Sequence, residues 1–212
     1  MRDRVVIADA GAAAARSAFD RCIQDGGVAV FPADTLYGLA CDPLDAGAID
    51  RIHALKGRDE GKPSAVMFFS PLAMREVVAT LGSRTRDALG VLLPGPVTVV
   101  VPNPERRYPL ACREDPERLG LRLIEGSLSG AASAVLQTSA NPSGAPPPHR
   151  FEDVDPAIAS GADLALDGGE VRGEPSTVVD LTRIESGWEW RVLRPGAMVT
   201  VEVERRLGAV AE

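Results

Sequence analysis

Cysteine, histidine, lysine and aromatic residues are all scarce in this 212-residue sequence, and each scarcity narrows what the chain can do. Its three cysteines, Cys22, Cys41 and Cys112, are odd in number, far apart and in no CxxC pair, so neither a disulfide framework nor a thiolate metal site is indicated. A reduced compartment fits. His53 and His149 stand in no ligand spacing, which argues against a histidine-based zinc site. Aromatic residues make up 4% of the chain, and 30 acidic side chains outnumber 23 basic ones for a net charge of −7. Gripping nucleic acid rests on cations that neutralise phosphates and on aromatic stacking platforms, so a small-molecule ligand is the better expectation. No run approaches the roughly 18 apolar residues of a membrane span. The opening MRDRVVIADAG carries Asp3 and Asp9 where a signal peptide needs an apolar stretch, so the expected location is the cytoplasm, with no membrane partner.

The familiar nucleotide signatures are also missing. There is no GxGxxG, and residues 57–64, GRDEGKPS, miss a P-loop by one spacer residue and by the Pro63 between Lys62 and Ser64. Residues 126–130, GSLSG, have the wrong spacing for a nucleophile elbow. What is present is a pattern among the cations: 21 of the 23 basic residues are arginine, and the two lysines, Lys56 and Lys62, share one seven-residue window. A compact ammonium suits a phosphate or carboxylate point contact differently from a planar guanidinium. A solvated loop is the alternative reading.

Hydrophobic periodicity gives interleaved elements. Residues 11–25 read as an Ala-rich helix and 28–31 as a buried strand. Asp45 caps a helix carrying Ile49, Ile52 and Leu55, which delivers Lys56 at its end. Residues 65–69 read as a strand, Ser70-Pro71 as a helix start, and Ser83 as the cap of a helix that stops at Pro94. Further strands are expected at 97–101, 121–124, 163–166, 177–181 and 188–193, with short helices at 127–135 and after Asp155. Residues 141–150 form a loop, and the tail from Val199 is either strand or helix. The class is α/β with a mixed sheet, in a single domain over 1–212.

Five separated segments then fall into one order: FPADTLYGLACD at 31–42, KGRDEGKPS at 56–64, PGPVT at 94–98, TSANPSG at 138–144, and PSTVVD with LRPG at 175–180 and 193–196. This pattern, over about residues 20–198, resembles the YrdC family. The resemblance implies a twisted open mixed sheet of the YrdC type with a concave ligand-binding face, and threonylcarbamoyl-AMP synthase activity. In that reaction L-threonine, bicarbonate and ATP condense and pyrophosphate leaves, with Mg²⁺ expected beside the ATP. Downstream threonylcarbamoyl-transfer proteins then modify tRNA next to the anticodon. By resemblance Lys56, Arg58, Ser139 and Asn141 are catalytic, Thr35, Arg122 and Ser176 bind threonine, and Arg58, Lys62, Ser139 and Arg194 bind the nucleotide. Several anions converge in such a cleft, so positioned cations are what its chemistry needs.

Asp34 has two readings, as a group that orients the threonine amine or one that closes a turn, and Tyr37 reads as a packed wall. The chain departs from the family pattern at Met67, where many relatives place a histidine beside threonine, and at Ala33, Arg118, Leu123-Ile124 and Pro147. These departures bear on amino-acid preference and on the nucleotide contacts. Two rival functions are a carbamoyl-adenylate enzyme that uses another amino acid or carbamoyl phosphate, and a non-catalytic RNA-binding paralogue. The latter would need a local basic surface from Arg106, Arg107, Arg113 and Arg118.

Overall fold

The computed structural model describes residues 3–57 and 63–211. Strand β1 (Asp3–Val6) and a single helical turn, α1 (Ile7–Ala10), lead into helix α2 (Ala12–Gln24). Ala15, Phe19 and Ile23 recur every fourth residue along α2 and are its buried face. Strands β2 (Ala29–Pro32) and β3 (Tyr37–Cys41) follow, then α3 (Ala46–Lys56). Asp45 caps α3 as expected, its carboxylate accepting from the Ala48 N–H at 3.0 Å. Next come β4 (Ala65–Phe68), α4 (Pro71–Val78), α5 (Ser83–Leu92), β5 (Val97–Pro102), α6 (Pro109–Cys112), β6 (Arg118–Leu123) and β7 (Val135–Ser139). The chain ends with α7 (Pro156–Gly161), β8 (Leu164–Asp167), β9 (Thr177–Arg183), β10 (Glu189–Arg194) and α8 (Thr200–Gly208).

The strands form one open mixed sheet in the order β1-β8-β2-β3-β7-β4-β6-β5-β9-β10. Four neighbouring pairs are parallel (β1 with β8, β8 with β2, β4 with β6, β5 with β9) and the rest antiparallel, among them three in succession from β2 through β3 and β7 to β4. Successive strand residues point to opposite faces, so each strand feeds two environments. One face carries a large core that includes Val66, Phe68, Val99, Leu121 and Val179 together with Ile49, Leu89 and Leu207 from the helices. The other face carries a smaller core, built on Phe19 of α2 and including Phe31, Met67, Phe69, Val135 and Leu166. None of the core residues contributed by β5, β6 or β9 belongs to that smaller cluster.

Two local readings need correction, one strand was unforeseen, and one open alternative is decided. Residues 127–135 are not helical; the carboxylate of Asp20 on α2 accepts from the Ala132 and Ser133 N–H groups at 3.0–3.1 Å, which holds the segment as a loop. Ser83 does not cap α5. Gly82 occupies the cap position, and Glu185 accepts from both the Thr85 N–H and its hydroxyl at 2.8 Å, so the capping oxygen comes from a hundred residues away. Strand β3 was not expected from the sequence. Gly38 and Ala40 lower its strand signal, yet it is buried throughout and lies between β2 and β7. The tail from Val199 resolves as helix, with Val203 and Leu207 buried.

Candidate functional site

Alternation along β5, β6 and β9 builds the site. Val97, Val99 and Val101 enter the large core while Thr98 and Val100 turn the other way; Leu119 and Leu121 do the same against Arg118, Gly120 and Arg122. The register sets Val100 opposite both Gly120 and Asp180, and Thr98 opposite Val178. On this part of the face the side chains bound a cavity of about 590 Å³, within the size range of small-molecule sites. Gly120 lies on its floor, where an added Cβ would make only ordinary contact, with Ala65 at 3.5 Å.

Seven of the nine site residues named from the sequence line this cavity: Thr35, Lys56, Arg122, Ser139, Asn141, Ser176 and Arg194. Arg58 and Lys62 lie outside the described residues. Lys56 comes from the last turn of α3, which Gly57 closes in the left-handed conformation at φ 55°. Its buried ammonium donates to the carbonyl of Ser139 and, at 2.6 Å, to that of Asn141. The Lys56 carbonyl accepts from the Ser143 N–H at 2.7 Å, so the helix end and the Ser-Ala-Asn loop are tied in both directions. The Asn141 amide nitrogen donates to the carbonyls of Pro142 and Ala145, folding that loop, while its Oδ1 is buried with no hydrogen-bond partner.

Arg122 is 3% exposed, and its Nη2 donates to Asp34 at 2.5 Å and to the Thr35 hydroxyl at 3.3 Å. Burial pushes the guanidinium pKa down and the Asp34 carboxyl pKa up, so each charge is held against a desolvation penalty. Asp34 thus pairs with Arg122, a role beside its two readings from the sequence, and it lies in the turn closed by the Ala33 N–H donating to the Leu36 carbonyl. The Arg122 Nε is buried without a partner. Arg122 thus brings a positive charge to the cavity wall, which suits an anionic ligand.

Ser176 is fixed from two sides. Arg194 donates to its carbonyl at 2.8 Å and to its hydroxyl at 3.3 Å. Gly196 lies so close behind that an added Cβ would sit 2.3 Å from the Pro175 carbonyl oxygen and 2.7 Å from the Ser176 carbonyl carbon. The glycine of LRPG is thus required by close backbone approach.

Tyr37 is fully buried in the large core and does not itself line the cavity. Its hydroxyl donates to the Gly169 carbonyl at 2.7 Å and accepts from the Gly168 N–H at 3.0 Å, and burial pushes its pKa up to about 12. Met67 is fully buried in the smaller core and is not part of the cavity wall, so that departure sits behind the site. Ala33 and Ile124 are core residues of the same cluster, and Leu123 belongs to the larger one. Arg118 and Pro147 do reach the cavity. Arg118 is clamped between Asp180 at 2.9 Å and Asp115 at 3.3 Å.

Three of the four arginines needed for the RNA-binding alternative are paired with carboxylates. Arg106 pairs with Glu117, Arg107 with Glu105 and Glu76, Arg118 with Asp115 and Asp180, and Arg113 lies against His53. Among the described residues no group of three or more His, Cys, Asp or Glu side chains could hold a metal ion, and no helix is long and apolar enough to cross a membrane. Thr98 and Val178, which belong to the PGPVT and PSTVVD segments but carried no assigned role, also line the cavity, as do Gly120 and Gln137, which no motif marked. The signal of Gly120 and Gln137 was available only as strand alternation, once the register was known.

Three comparisons bear on the site. Residues 21–196 match the Sua5/YciO/YrdC family model, described as "Telomere recombination". The threonylcarbamoyl-AMP synthase of Pyrococcus abyssi is 32% identical over 89% of this chain, and the putative threonylcarbamoyl-AMP synthase of Mycobacterium tuberculosis is 30% identical over 89%. The chain spans 56% of the former's length and 87% of the latter's. The solved structure of P. abyssi Sua5 complexed with L-threonine superposes with a TM-score of 0.81 at 27% identity, covering 97% of this chain and 60% of that one.

Proposed function

Because this chain belongs to the Sua5/YciO/YrdC family, we infer that it is a threonylcarbamoyl-AMP synthase, a nucleotidyltransferase that joins L-threonine, bicarbonate and ATP and releases pyrophosphate. One observation carries the reading beyond family membership. A single cavity of about 590 Å³ gathers Lys56, Arg122 and Arg194, seven hydroxyl side chains and the unpartnered Arg122 Nε and Asn141 Oδ1. The cations and hydroxyls suit a ligand with a carboxylate at one end and phosphates at the other, and the Asn141 Oδ1 is an acceptor for a ligand N–H or O–H.

In this reading the amine of threonine adds to the carbon of bicarbonate, water leaves, and the product is a carbamate. A carbamate oxygen then attacks the α-phosphorus of ATP, and the bond to the β-phosphate oxygen breaks to release pyrophosphate. Arg122, held by Asp34, takes the threonine carboxylate with its free Nε–H, and Thr35 and Ser176 supply hydroxyls. Lys56 places a buried positive charge beside Ser139 and Asn141, where negative charge accumulates during attack; fixed cations and dipoles in a site of low dielectric are the main source of such rate enhancement. Arg58 shares that centre with them. Arg58, Lys62, Ser139 and Arg194 hold the nucleotide. The Mg²⁺ expected with ATP has its oxygen ligands in the phosphates themselves. The product then feeds threonylcarbamoyl-transfer proteins that act on tRNA beside the anticodon, in the cytoplasm.

The test is pyrophosphate release by the purified chain with Mg-ATP, comparing L-threonine, L-serine and no amino acid, each with and without bicarbonate. Release that needs both threonine and bicarbonate is expected. Equal release without an amino acid, or none under any condition, overturns the reading; release with carbamoyl phosphate alone would support the rival carbamoyl-adenylate reaction.

A further inference from the structure

Thr98 has no role in the site as described so far, although it stands on the cavity wall from the middle of the molecule's most strictly alternating strand. Its hydroxyl lies 2.8 Å from the Ser176 hydroxyl, a contact that either oxygen can donate. Register explains why the two meet: β5 and β9 run parallel with Thr98 opposite Val178, and Ser176, two residues earlier, turns to the same face. The side chain is not there to fill the core, since its neighbours Val97 and Val99 do that.

We propose that Thr98 is a positioning residue, which orients the Ser176 hydroxyl as a donor to the amino-acid substrate. The argument is a count of protons and lone pairs and rests on the reading of the cavity as a threonine site. The Ser176 oxygen has one proton and two lone pairs. The Arg194 guanidinium, which has no acceptor, takes one lone pair. When Thr98 donates into the second, both lone pairs are used, and the Ser176 proton is the group left for the cavity. When the pair runs the other way, the Thr98 proton is left instead, on the same wall. The first arrangement is the one assigned, in which Thr98 donates and the Ser176 proton is left for the ligand. Without Thr98, the Ser176 hydroxyl keeps only the long Arg194 contact and is free to turn its proton elsewhere. Valine in place of threonine preserves shape and β-branching and removes only the hydroxyl, so it isolates this effect.

The experiment is steady-state pyrophosphate release by the full chain and by Thr98→Val, Thr98→Ser, Ser176→Ala and the Thr98→Val/Ser176→Ala double variant, with thermal midpoints measured alongside. The expected result is a threonine KM raised about tenfold in Thr98→Val, as for a lost hydrogen bond to a charged group, with the ATP KM changed less than about twofold. Thr98→Ser recovers most of the threonine KM. The double variant behaves like Ser176→Ala alone, because the two hydroxyls act as one unit. An unchanged threonine KM in Thr98→Val overturns the proposal, as does a double variant whose loss is the product of the two single losses. Equal rises in both KM values with a lowered thermal midpoint also overturn it, by showing a structural role. If the unaltered chain releases no pyrophosphate with threonine, the synthase reading fails first and the positioning role falls with it.

Discussion

Arg122 concentrates the physical tension of the site in one residue. It is almost wholly buried, and it is paired with Asp34 while one of its donors stays unspent. Removing one partner of a buried pair leaves an uncompensated charge, so Asp34→Asn is expected to lower the unfolding free energy by about 3–5 kcal/mol, measured by denaturant titration. A change under 1 kcal/mol would show that Arg122 does not depend on Asp34. Met67 makes the opposite prediction. It packs among Phe31, Phe69 and Val135, away from the cavity wall, so Met67→Leu should cost less than about 1.5 kcal/mol and leave the preference for threonine over serine unchanged. A shifted preference would place the thioether in the site. At this scale the sequence was informative where a residue belonged to an ordered motif, as Lys56, Ser139 and Asn141 do. It gave no hint of the Asp34–Arg122 pair, because the partner of that carboxylate is 88 residues away on β6.

Elements place these residues, and two of them do so through contacts that no local pattern announces. Helix α5 is capped by the Glu185 carboxylate, whose pKa is drawn below the ordinary glutamate value: burial opposes this, and hydrogen bonds from the Thr85 N–H and hydroxyl outweigh it. A depressed native pKa means that the cap's contribution is fully present above pH 4.5 and is lost as pH falls through the lower native value. Glu185→Gln should therefore cost about 1 kcal/mol at pH 7, a fall of about 2–4 °C in thermal midpoint, and the difference should shrink toward pH 3. A gap that is independent of pH would assign the cap to shape alone. The loop from Arg194 to Ala197 gives a second test. Gly196→Ala sets a Cβ against backbone atoms of Pro175 and Ser176 that cannot swing aside, so Ser176 must move and pyrophosphate release is expected to fall at least tenfold. The helices with a capping signal and a clear apolar face, α2, α3, α4 and α7, were legible in the sequence. Strand β3, which carries Gly38 and Ala40, was not, and the 127–135 segment was misread because its Ala132 and Ser133 N–H groups go to Asp20 of α2 and its Gly130 N–H to the Phe69 carbonyl instead of to carbonyls four residues back.

On the scale of the whole molecule the decisive fact is that the face opposite the large core is covered by α2 and the smaller core only in part, and the cavity forms over β5, β6 and β9. The α/β class was readable from interleaved periodicity. The cavity was not, because it depends on which strands become neighbours, and β5 and β9 are brought together from 80 residues apart. The same burial keeps the thiols inert: it pushes Cys22 and Cys112 up to about 11 and Cys41 up to about 12. At pH 8 a pKa of about 11 leaves about one thiolate in a thousand, so native alkylation should be slow at all three cysteines and fast after unfolding, as counted by intact mass. Rapid native labelling of any cysteine would contradict the packing around it. The account as a whole stands on the chemistry assigned to the cavity, and the most direct measurement is the mass of the nucleotide product formed from Mg-ATP, L-threonine and ¹³C-labelled bicarbonate. The predicted result is an adenylate that contains both threonine and the labelled carbon, one mass unit heavier than its unlabelled counterpart and absent when threonine is omitted. An adenylate without the bicarbonate carbon, or no adenylate at all, would contradict it.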